Sequence, residues 1–137
     1  MGQQQLLLIV LGVIIVGIAV VVGINVFTAS AASSNREAVV SDLTTIASMA
    51  QQYFRKPTAL GGGDNSFTNF RMPALSATPA DNTATTTKTP NGSYTLTPGA
   101  ASITLVGVGN EKGNDGTAGV KATMTVTDNA ITTVVNN

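Results

Sequence analysis

Nineteen consecutive residues, Leu6 to Ile24 (LLLIVLGVIIVGIAVVVGI), carry no polar side chain. As a helix, such a run is long enough to cross a hydrocarbon core of about 30 Å. Val and Ile also suit strands, but no strand of an ordinary domain is this long. In lipid, moreover, only a helix satisfies its own backbone. A cleaved signal peptide is the competing reading, with Ala29-Ser30-Ala31 as its small-residue cut site. Against it, no Lys or Arg precedes the run, and the run exceeds the roughly 7–15 residues of a signal core. The segment therefore predicts a helix that stays with the protein.

That helix is expected to continue past the apolar run. From Thr28 to Arg55 there is neither Pro nor Gly, and Val39, Leu43, Ile46, Ala50 and then Tyr53 and Phe54 recur at spacings of three and four. They fall on one helical stripe, suited to packing on a sheet. Pro57 ends the run by restricting the residue before it. Residues 5–55 then make one rod about 75 Å long. A second pattern lies on the other side. At about 100° per residue, Gly12, Ala19, Gly23, Ser30 and Ser34, followed by Ser41 and Ser48, cluster roughly 180° from the stripe. Small residues let another backbone approach closely, and close packing is what drives association in apolar surroundings. This face reads as a helix-packing seam.

Composition changes at Arg55-Lys56-Pro57, dividing the chain into a helical part (1–56) and a small β-rich part (57–137) rich in Thr, Gly, Asn and Ala. After an LGGGDNSF loop and a Pro- and Thr-rich stretch, Asn91-Gly92 signals a turn. Four alternating segments follow, 93–97, 102–109, 120–127 and 130–136, with Asp128-Asn129 as a tight hairpin turn. They predict an antiparallel sheet of three or four strands. Its apolar face (Leu96, Ile103, Leu105, Met124, Val126, Ile131 and Val134) is too small to stand alone. The fold class expected is α+β, with the second half of the helix, through Val39, Leu43, Ile46, Ala50 and Phe54, lying across that sheet.

Seven acidic residues balance seven basic ones, so no positive field invites nucleic acid. The chain has no Cys, His or Trp, which removes disulfides, thiolate and imidazole metal sites and the usual neutral-pH base. No acid pair, nucleophile–base pair or phosphate loop is visible, so neither an enzyme nor a cofactor is expected. Charged residues make up 10% of the chain, against about 25% in soluble domains. A surface so poor in charge suggests cover by lipid or by other copies of the chain.

An apolar N-terminal helix whose second half packs on a small antiparallel sheet resembles the type IV pilin superfamily. The resemblance covers the architecture of the whole chain, and at sequence level residues 1–55. It implies a helix that anchors the subunit in the inner membrane before assembly and forms the core of a filament afterwards. Partners would be other copies of the chain, the membrane and a pilus-type assembly machinery. Family precursors carry a short basic leader ending in Gly, where this sequence has Met1-Gly2. Gln3 stands where Phe or Met usually follows the cut, and Leu7 where a Glu usually pairs with a neighbour's amino group. Without that Glu, Gln3, Gln4 and Gln5 are left to keep the terminus at a polar interface or to hydrogen-bond to neighbours.

Three smaller signals each admit two readings. The loop GNEKGNDGTAG (109–119) has calcium-type oxygens without EF-hand spacing, or is a plain hairpin loop. TATTTKTP (83–90), including Thr85, Thr86 and Thr87, is an O-glycosylated strip or an exposed loop. Asn91-Gly92-Ser93 is an N-glycosylation sequon or a turn. The leading expectation is a structural subunit of a cell-surface, type IV pilus-like filament. Its alternatives are a single-pass membrane-anchored binding module and a pseudopilin of a secretion system.

Overall fold

A computed structural model describes residues 2–137; Met1, and with it the expectation about a leader, lies outside the described residues. One helix, α1 (Gly2–Arg55), is followed by five strands: β1 (Thr86–Thr89), β2 (Gly92–Thr97), β3 (Ser102–Lys112), β4 (Gly119–Thr127) and β5 (Ile131–Val135). The strands form one antiparallel meander in the order β1-β2-β3-β4-β5. The architecture is α+β, with the second half of α1 across one face of the sheet.

Pro57 stops the helix, and LGGGDN folds back to satisfy its last carbonyls. Gly63 N–H donates to Tyr53 O (2.8 Å), Asn65 N–H to Phe54 O (2.8 Å) and Asp64 N–H to Lys56 O (3.0 Å). These are carbonyls that a helix C-terminus otherwise leaves orphaned. The approach is close enough that a Cβ on Gly63 would sit 2.6 Å from the Tyr53 ring. The returning segment lays Phe70 against Tyr53 (ring centroids 5.4 Å) and Phe67 against Phe54 (4.5 Å). The aromatic partners of Tyr53 and Phe54 are thus in this connecting segment rather than on a strand.

From the helix, Val39, Leu43, Ile46, Ala47 and Ala50 are buried, and Leu96, Ile103, Leu105, Met124 and Val126 meet them from the sheet. On β3, the alternation VGVG puts Gly107 and Gly109 on the inner face, where α1 passes closest. A Cβ on Gly107 would lie 2.7 Å from Val39 Cγ1, and one on Gly109 would strike Asn35 Oδ1.

Three expectations are corrected. The sheet has five strands because Thr86–Thr89, within the stretch read as loop, pairs with β2 from Thr86↔Thr95 to Thr89↔Gly92. The β1–β2 turn therefore falls at Pro90-Asn91, one residue earlier than Asn91-Gly92. Finally, Val134 pairs with Thr123 on the outer face and is 52% exposed. Ile131 does share the inner face, opposite Val126, but lies beyond the cover of α1 and is 37% exposed.

Candidate assembly surface

Every residue from Gly2 to Ser30 is exposed. An 18-residue window in this half of α1 has a mean hydropathy of 3.3 with none of it buried, long and apolar enough to cross a membrane. The protruding rod, about 40 Å at 1.5 Å per residue, presents apolar side chains all round, up to Phe27 at 76% exposure.

The small-residue face runs the length of this rod without meeting the sheet. Gly12, Ala19, Gly23, Ser30 and Ser34 are all exposed, and so are Ser41 and Ser48 beyond them. Nothing lies within 4 Å of a Cβ placed on Gly12 or Gly23. The fold leaves those positions open, and another backbone is free to approach them. Along the helix, hydroxyls turn back on their own turns: Thr28 Oγ1 donates to Ile24 O (2.7 Å) and Ser48 Oγ to Thr44 O (2.9 Å). A hydroxyl satisfied in this way makes no demand on whatever packs beside it.

The opposite face is fixed to the sheet by polar side chains flanking the apolar stripe. The central group is Asp42, whose Oδ2 accepts from Tyr94 OH (2.6 Å), Thr89 Oγ1 (2.9 Å) and Asn91 Nδ2 (3.0 Å). Burial pushes the Asp42 carboxyl up, but the three donors outweigh it and hold the group below its ordinary value. Burial, and after it the bond to Asp42, push the Tyr94 phenol well above its ordinary value. Toward the rod, Asn35 Nδ2 donates to Asn91 O (2.9 Å) and Arg36 Nη2 to Asn114 Oδ1 (3.0 Å). At the far end, Gln51 Nε2 donates to Thr127 O (3.2 Å) and Arg55 Nη2 to Asp128 O (3.2 Å). The sheet is therefore set at a fixed orientation on the rod rather than tethered to its end. Asp42, Asn35 and Tyr94 are absent from the sequence-level candidates; a lone acid between Val39 and Leu43 is the one signal they gave.

The glycosylation candidates separate. Thr85 is exposed. Thr86 lies on β1 with its hydroxyl 2.6 Å from that of Thr83. Thr87 points inward and is 1% exposed; its hydroxyl donates to Asn82 Oδ1 (2.6 Å) and accepts from Leu75 N–H (3.2 Å). The Asn91 amide is committed to Asp42. Thr87 thus offers no free hydroxyl, and one N–H of the Asn91 amide is held by Asp42, because the run folds as an edge strand and its turn. In the β3–β4 loop, Asp115 Oδ1 accepts from the N–H groups of Thr117 (2.9 Å) and Ala118 (3.0 Å). Those bonds, the Thr117 one first, hold its carboxyl below the ordinary value. Among the described residues no three Asp or Glu side chains gather as a metal site.

Compared with protein-family models, curated proteins and solved structures, the chain matches none.

Proposed function

We propose that the chain is the structural subunit of a type IV pilus-like filament, inserted in a membrane through α1 before assembly and polymerised through the same helix. The observation that carries this reading is the unbroken passage of α1 from a fully exposed apolar rod into a half clamped on the sheet. A domain held at one angle on its rod fits a repeating lattice, whereas a simple anchor needs only a flexible tether. The open small-residue face and the low charge of the chain point the same way. Burying one apolar side chain is worth about 1.5–3 kcal/mol against water, so a core of such rods holds firmly outside the cell. Starting from lipid that gain is much smaller, and assembly then rests on close packing along Gly12, Ala19 and Gly23.

The test is electron microscopy of material sheared from cells without detergent, together with the intact mass of the subunit. Thin filaments containing the chain are expected. Recovery only from detergent-extracted membranes, as a monomer, would overturn the filament and leave a single-pass anchored domain.

A further inference from the structure

The sheet is wider than the layer that covers it. α1 lies over β3 and β4. On the β2 side of α1 the chain completes the layer with Phe67, Phe70 and Met72, all buried, and with Leu75 packed against the core. On the other side it supplies nothing among the described residues. β5 is exposed along its whole length. Its inward residues Ile131 and Val135, opposite buried Val126 and Ala122, are 37% and 47% exposed.

The gap is one helix wide. Strands stand about 4.8 Å apart, so β5 runs about 7 Å to the side of a helix seated between β3 and β4. Packed helices have axes about 8–10 Å apart, so a second helix beside α1 sits over β5 and its free edge. The flank of α1 facing this gap is marked by its bonds. Gln51 reaches Thr127 O, Arg36 reaches Asn137 O and Arg55 reaches Asp128 O, whereas Asp42 and Asn35 turn toward β2 and its turn. Val40 and Thr44 lie within about 20° of Gln51 around the helix, and the Thr44 hydroxyl is spent on Val40 O (2.8 Å). Between Glu37 and Arg55 this flank carries no charge, and neither does β5.

The length of the gap matches one segment of the chain itself. From Arg36 to Arg55 is 19 residues, about 29 Å as helix, and from Gln5 to Asn25, the polar bounds of the exposed apolar run, is 20, about 30 Å. We propose that the inner face of β5 receives the apolar rod of a second copy, so that each sheet is covered by its own α1 and by Leu6–Ile24 of a neighbour. The inference rests on the filament reading and names a contact within it. With the two helices parallel, a neighbour shifted by about thirty residues, or about 45 Å, brings its Gln5 level with Asn35 and its Asn25 level with Arg55. Such a contact joins two different surfaces with a large axial displacement. It does not close into a ring, and its repetition builds an open helical polymer.

The chain has no Cys, so introduced thiols report this contact alone. Val135 pairs with Ala122 and Ala122 with Gly107, where a Cβ would lie 2.7 Å from Val39 Cγ1. Val135 therefore stands level with Val39 and, under the shift above, with the neighbour's residues near Val10. Within one chain positions 10 and 135 are about 45 Å apart along the rod, so a disulfide between them joins two copies. In sheared filaments under mild oxidation, Val10→Cys/Val135→Cys is expected to give a ladder of linked oligomers. Val135→Cys alone is expected to stay monomeric, and Val22→Cys/Val135→Cys, with the rod thiol moved about 18 Å, to give no ladder. A second pair of variants serves if the thiols disturb assembly. Val135→Glu on the inner face should lower filament yield several-fold and Val134→Glu on the outer face little, with equal amounts of both in membranes.

Filaments of the Val10/Val135 variant without a ladder, an equal ladder from the Val22/Val135 variant, or equal yields from the two Glu variants overturn the β5 contact and leave the filament standing. Dimers from Val135→Cys alone overturn it too, in favour of pairing between two β5 edges. If the unaltered chain forms no filaments, the filament reading fails and this contact with it.

Discussion

The phenol of Tyr94 on β2 donates to Asp42 Oδ2 on α1 at 2.6 Å, linking the rod to the sheet across 52 residues of sequence. Tyr94 is fully buried and Asp42 takes two further donors, so the pair works as a charged clasp at the edge of the core. Tyr94→Phe keeps the ring and removes the donor. A hydrogen bond to a charged group contributes about 1.5–3 kcal/mol, and a loss of that order is expected in thermal unfolding of the full chain in detergent micelles, followed by near-UV circular dichroism.

The same clasp sets two pH limits. The folded carboxyl of Asp42 lies below its ordinary 3.8, so its stabilisation is complete above that pH and is lost as pH falls through the lower, folded value. The Tyr94 phenol is shifted upward from 10.0, so its contribution is present below pH 10 and is lost as pH rises beyond it. Melting temperature against pH should therefore fall off on both sides. Tyr94→Phe should abolish the alkaline fall and weaken the acid one; an unchanged alkaline limb would show that Tyr94 is not the group responsible.

Gly107 tests how closely helix and sheet approach. A Cβ there would lie 2.7 Å from Val39 Cγ1 and 3.0 Å from the Tyr94 ring. Gly107→Ala is expected to destabilise by about 1–3 kcal/mol through overpacking. Val39→Ala removes the nearer obstacle, so the double variant should be more stable than the sum of the two single effects predicts. Simple additivity in the same melting assay would mean that the helix does not rest on Gly107.

Much of this arrangement is legible in the sequence, for reasons that differ by element. The packed half of α1 shows itself because 28–55 lacks Pro and Gly and its apolar residues keep a helical period. β2, β3 and β4 show themselves by alternation. β1 does not, because its inward position is Thr87, satisfied by Asn82 instead of by apolar neighbours, so TTKT looks like loop. Val134 goes astray because period 2 from Ile131 sends 133 and 135 inward, not 134. The inward glycines of VGVG were readable as a close approach, but what approaches them is fixed only by the three-dimensional path of α1. The Asp42 clasp joins residues too far apart in sequence for any local pattern to announce it. The small-residue face is legible as a pattern, and within the chain nothing packs on it at Gly12 or Gly23.

Thr87 distinguishes a surface strip from a structural strand. Its hydroxyl is buried between Asn82 Oδ1 and Leu75 N–H, so Thr87→Val leaves the Leu75 N–H without a partner, and Asn82 Oδ1 with only the Ser76 N–H, at a cost of about 1–3 kcal/mol. Peptide mapping of the folded protein should find Thr87 unmodified. Glycan on Thr87 would contradict the inward placement of β1.

Gly23 provides the test of the proposed packing seam, because the fold of the single chain should be indifferent to it. Nothing lies within 4 Å of a Cβ at Gly23, and Leu is a better helix former than Gly. Gly23→Leu is therefore expected to leave folding and membrane insertion intact while filling the space that a neighbouring backbone would need. Val21→Leu, roughly 160° round the helix, adds bulk on the other side and serves as the control. Sheared-filament yield should fall sharply for Gly23→Leu and little for Val21→Leu, with both variants equally abundant in membranes. Normal filaments from Gly23→Leu would remove the small-residue face from the assembly contact. Equal loss from both variants would show that assembly depends on the bulk of the rod as a whole, not on one close-packed face.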